Sequence, residues 1–79
     1  MVDPASVERS IREGLECTHL EVAGDGTHFE ALIVSPRFAG LARVRRHQLV
    51  YAALGDRMRE EVHALSMRTF SPEEWAKQE

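Results

Sequence analysis

Cysteine is nearly absent from this chain of 79 residues, and its single instance, Cys17, cannot close an internal disulfide. Oxidised staples are thereby excluded, and a reducing, cytoplasmic setting is the expectation. Aromatic residues are few, at three Phe, one Tyr and one Trp, so a stacking platform for bases would have to draw on the same rings that the core needs. No stretch approaches the roughly 18 consecutive apolar residues of a membrane span, and the acidic N-terminal segment MVDPASVERSIREG lacks the apolar run of a secretory signal. There are no repeats, low-complexity tracts or paired catalytic carboxylates. A strained nucleophile elbow and a phosphate-cradling glycine loop are missing too, which argues against an enzyme.

What remains is the composition of one small globular domain, residues 1–79, 43% hydrophobic and 29% charged. The net charge of −3 is unevenly spread. Six arginines between Arg37 and Arg59 face only Asp56, a local +5 that leaves −8 for the rest. Such a segment can meet phosphates or an acidic protein surface, or it can be a solvated face.

Asp3-Pro4 is a helix start, and Val7, Ile11 and Leu15 follow at helical spacing, predicting a helix over 4–16. Alternation predicts strands over 18–23 and 27–34, joined tightly through Gly24-Asp25-Gly26, with Phe29, Ala31 and Ile33 on one side of the second strand. His28, Glu30, Leu32 and Val34 fall on the other. Ser35-Pro36 opens a turn of helix anchored by Phe38. A helix over 42–59 follows, its buried stripe read as Val44, His47, Tyr51, Leu54 and Met58, with Leu49 and Val50 on the flanks. A third strand is expected over 62–69, with His63, Leu65 and Met67 on one side. Ser71-Pro72-Glu73-Glu74 reads as a capping box that starts a terminal helix, docked through Trp75. A helical crossover lets the third strand run parallel to the second, which gives an α+β fold with a three-stranded mixed sheet.

Four pieces in this order, Ser-Pro-x-Phe-x-Gly, Arg-His-Gln-x-Val-Tyr, Val-His-Ala-Leu-Ser and Pro-Glu-Glu-Trp, resemble the BolA family. The short hairpin VAGDGTHFEALIV is similar to its IbaG-like bacterial branch, and the likeness spans about Val7 to Trp75. The resemblance implies an αββααβα fold similar to a class II KH domain. It also implies a non-enzymatic role in iron-sulfur trafficking or sensing, in which a [2Fe-2S] cluster is shared with a monothiol glutaredoxin bearing Cys-Gly-Phe-Ser. There the partner and its glutathione supply thiolates. On this chain the resemblance points to His63 and, in the hairpin region, His28 as metal ligands, with Cys17 or a glutathione-derived group as alternatives to His28.

A two-imidazole, two-thiolate shell is a recognised one for such a cluster, and this chain cannot complete it unaided. Arg43, Arg45, Arg46 and His47 are the candidates for partner or nucleic-acid contact, the arginines through docking electrostatics or the glutathione carboxylates. The other expectation is a KH-like, DNA- or RNA-binding regulator, since some BolA relatives are described as transcriptional or stress-response proteins. Against it, the turn Ala39-Gly40-Leu41-Ala42 has one glycine where a KH clamp has two. The isolated chain is expected to be a monomer or a weak homodimer.

Overall fold

The computed structural model describes residues 3–61 and 64–78, the side chains of 57–61 excepted. Its elements are α1 (Pro4–Gly14), β1 (His19–Gly24), β2 (His28–Val34), a 3-10 turn (Pro36–Phe38), α2 (Arg43–Glu61), β3 (Ala64–Phe70) and α3 (Pro72–Gln78). The expected α+β order is therefore present. β2 lies in the middle of the sheet, antiparallel to β1 and parallel to β3.

Asp3 caps α1 by accepting the Ser6 N–H at 2.8 Å, and Pro4 takes the first helical position. The helix stops at Gly14, two residues short of the expected end, and Leu15 is already extended. Leu15 is nevertheless buried with Val7 and Ile11. A Cβ at Gly14 would lie 2.7 Å from the Ala53 Cα, so the glycine is what lets α1 approach α2 this closely.

One face of the sheet holds Leu20, Phe29, Ala31 and Ile33, which form a single core with Val7, Ile11, Leu15, Phe38, Val50 and Leu54. On α2 the structure bears out Leu54 and Tyr51 of the expected stripe and corrects its beginning, while the Met58 side chain lies outside those described. Val44 is 63% exposed, whereas Arg46, Val50 and Leu54 form the buried line at spacings of four, with His47 and Tyr51 half-buried beside it. Apolarity alone misplaces the stripe because the first residue of the true line is an arginine. The helix is also interrupted at Gly55, whose φ of 80° and ψ of 164° lie outside helical space in a region that favours glycine.

The opposite face of the sheet is covered at one end only. His19, Val34 and Phe70 are register partners across the three strands. The Trp75 ring of α3 stacks on His19 at 5.3 Å and meets Phe70 at 5.5 Å. That cover explains why Val34 is fully buried although it alternates with exposed His28 and Glu30.

Candidate functional site

The hairpin is built around one carboxylate. Asp25 Oδ1 accepts from the His28 N–H at 2.9 Å, the Thr27 N–H at 3.0 Å and the Thr27 hydroxyl at 3.1 Å, while the Asp25 N–H donates to the His28 carbonyl at 3.1 Å. The His28 amide, followed by the two Thr27 donors, holds the Asp25 carboxyl down at about 2. Gly26 closes the turn with φ of 102°. A Cβ on Gly24 would lie 2.5 Å from the Phe29 ring and 2.6 Å from the His28 carbonyl oxygen, so only glycine fits there without moving the residue that presents the histidine.

His28 is thus fixed at its backbone and free at its ring. The side chain is exposed, and no described residue bonds to the imidazole. In the parallel ladder its partner is Ala64, the first residue of β3. His63, the other expected ligand, lies outside the described residues. Among the described residues no group of three or more His, Cys, Asp and Glu converges as a metal site.

Cys17 does not lie near His28. Thr18 donates its N–H to the Val34 carbonyl, at the opposite end of β2 from His28. Six residues of strand, about 20 Å, separate those ends. The Cys17 thiol also donates to the Leu15 carbonyl at 3.3 Å, and burial raises its pKa. That favours the thiol over the metal-binding thiolate.

The arginines are the larger correction, since Arg46 is not on an open basic face. Its Nη1 and Nη2 grip the two oxygens of Glu74 at 2.6 and 3.0 Å, its Nε donates to the Leu41 carbonyl at 2.8 Å, and Nη1 reaches the Thr69 carbonyl at 3.2 Å. Glu74 meanwhile completes the capping box with Ser71, and the Arg46 fork and Ser71 N–H hold its carboxyl at about 2. The sequence reveals the cap but gives no sign of this second use of Glu74. Arg43 and Arg45 are exposed, as is Arg37 on the 3-10 turn. All three belong to the end where Ser35 binds the Phe70 carbonyl, so no arginine of this group stands beside His28. His47 lies on the same helix with its Nε2 buried and unpartnered among the described residues.

Comparison with known proteins gives a consistent picture. A family model described as BolA-like protein matches residues 10–74. The chain is 32% identical to the acid stress protein IbaG of Escherichia coli over 72 residues, 90% of this chain and 86% of that protein. It is 38% identical to a DNA-binding transcriptional regulator BolA of Haemophilus influenzae over 76% of this chain and 58% of that one. A solved structure of a bol-like protein from Babesia bovis superposes with a TM-score of 0.87 at 32% identity, covering 99% of this chain and 94% of that chain.

Proposed function

The chain belongs to the BolA-like family, and from that premise we propose that it is a non-enzymatic adaptor of iron-sulfur trafficking or sensing. It joins a monothiol glutaredoxin in a heterocomplex bridged by a [2Fe-2S] cluster, to which this chain gives His28 and His63. The observation that carries this is the exposed His28 ring, without a partner among the described residues and in register with Ala64, the residue that follows His63 in the chain. Two imidazoles on one iron opposite two thiolates raise the reduction potential above that of an all-thiolate cluster. Since a ligating imidazole must be neutral, assembly would weaken as the medium becomes acidic.

The test is to titrate the chain into a cluster-loaded monothiol glutaredoxin and to follow visible absorption and circular dichroism. A new spectrum saturating at one chain per partner is expected, and His63→Ala and His28→Ala should each remove it while leaving the apo-protein folded. An unchanged spectrum on mixing, or variants that behave as the parent does, would reject the assignment.

The nucleic-acid reading is favoured by one observation, the exposed Arg37, Arg43 and Arg45, which form no ion pair among the described residues, together with the name of the Haemophilus relative. Arg46 drops out of it because its fork is filled. Phe38 is fully buried, and Phe70 and Trp75 pack on each other, which leaves phosphate contact without base readout.

A further inference from the structure

We infer that Gly55 is a positioning residue of the proposed cluster site: its positive-φ break steers the chain off the end of α2 so that β3 starts beside His28. This rests on the adaptor reading above, in which the residue delivered just ahead of Ala64 is the second ligand, His63. Lengths set the problem. Because β2 and β3 are parallel, α2 runs back along the sheet from the Val34 end to the His28 end. The twelve residues from Arg43 to Leu54 rise about 18 Å as helix, close to the roughly 20 Å of strand between Phe70 and Ala64. Arg46 holds the start of this arm to the Thr69 carbonyl, near the far end of β3 from Ala64. The helix therefore draws level with His28 at about residue 54. All 19 residues of α2 in one straight rod would rise about 28 Å and overrun the sheet, while β3 must begin one layer away, at a separation of roughly 10 Å.

Packing fixes the first arm up to the break. Arg46, Val50 and Leu54 are buried at spacings of four, and Ala53 meets α1 so closely that a Cβ on Gly14 would lie 2.7 Å from its Cα. Gly55 itself serves no close approach. A Cβ placed there would meet nothing within 4 Å, in contrast to Gly14 and Gly24. What the position requires is conformation, since φ of 80° with ψ of 164° lies in a region that is essentially glycine's own. Helix resumes after the kink over 56–61, and the chain enters β3 at Ala64, opposite His28. An L-side chain would oppose this joint without touching a neighbour, whereas a D-residue favours positive φ and would keep it.

The experiment places alanine of either hand at position 55. Cys17, the single cysteine, is a junction at which a synthetic 17–79 segment can be ligated to a 1–16 thioester, so the full chain with Gly55→Ala or Gly55→D-Ala is accessible. Each folded chain is titrated into the cluster-loaded monothiol glutaredoxin and followed by visible circular dichroism. The nuclear Overhauser contact between the His28 and Ala64 backbones is recorded in the apo-chain. With the L-variant only a minor fraction of molecules should hold the competent geometry, so its apparent affinity should fall roughly tenfold, with the same spectrum at saturation and a weaker His28–Ala64 contact. The D-variant should match the parent within about twofold in affinity and keep the contact.

An L-variant that binds as the parent does below its melting transition would leave Gly55 a matter of stability alone and overturn the proposal. So would a D-variant that weakens along with the L-variant, since any added carbon would then disrupt the joint. If Gly55→Ala does not fold, the D-variant decides: parent-like binding supports the role and weakened binding removes it. A parent chain that yields no mixed spectrum would reject the adaptor reading and the cluster role of Gly55 together, whereas a parent that yields it beside an equally competent L-variant would reject the role of Gly55 alone.

Discussion

At the scale of single residues, two carboxylates each gather several donors. Glu74 ties α3 to α2 through the Arg46 fork, and Asp25 gathers the donors of the hairpin turn. Removing the guanidinium would leave the Leu41 and Thr69 carbonyls without their donor in a half-dry site. Arg46→Ala should therefore cost roughly 2–3 kcal/mol in chemical denaturation, and Arg46→Lys should recover little of it because an ammonium cannot span both Glu74 oxygens. Both carboxyls sit at about 2 in the folded chain, below their ordinary values of 4.5 for Glu74 and 3.8 for Asp25. Between those limits the unfolded chain binds more protons than the native one, so the stabilisation is complete above about pH 5 and is lost as pH falls through about 2. The melting temperature should drop over that window. Glu74→Gln combined with Asp25→Asn should flatten the drop while lowering the plateau at neutral pH.

At the scale of elements, the strands, the capping box and the Phe38 anchor were legible because each follows from alternation or from a side chain capping its own neighbourhood. Leu20, Phe29, Ala31 and Ile33 reach the core as their spacing predicts. The α2 stripe was legible only in part: Leu54 and Tyr51 lie at the core as their spacing predicts, but a pattern of apolar residues cannot announce that Arg46 is buried against a carboxylate 28 positions away. Leu54→Ala should accordingly cost about 2–5 kcal/mol, while Val44→Ser should stay within about 0.5 kcal/mol; equal costs in urea melts would restore the apolar stripe. The Gly55 interruption was equally hidden, because an isolated glycine in a helical pattern reads the same whether or not it leaves helical space. Helix α3 buries none of its own residues and is held by Glu74 and the Trp75 stack. Trp75 is the only tryptophan, so its emission reports that docking. In Arg46→Ala it should shift to longer wavelength before far-ultraviolet circular dichroism is lost, and coincident transitions would show that α3 does not come away alone.

For the molecule as a whole, sequence reasoning set the arginines beside the histidines, whereas the structure puts Arg37, Arg43 and Arg45 at the other end of β2 from His28. Arginines and histidines lie close along the chain between Arg37 and His63, yet a parallel crossover carries α2 back along the sheet, so its start and Ala64, the first residue of β3, stand at opposite ends of β2. Glutathione carboxylates at a cluster held by His28 would be out of reach of Arg43 and Arg45. Raising salt from 50 to 300 mM should consequently leave heterocomplex formation unchanged within about twofold, checked by the mixed-cluster spectrum; strong weakening would place the arginines at the docking surface after all. Arg46→Glu is unsuited to that purpose, since it would place an acid against Glu74 and unsettle the fold. The pairing of His28 with Ala64 has one more consequence. The neighbours join only after 35 intervening positions have been made and threaded through a helix, so a chain still emerging from the ribosome offers the hairpin imidazole without its companion strand. On the adaptor reading, the hairpin imidazole would gain its companion ligand only once β3 has been made and paired.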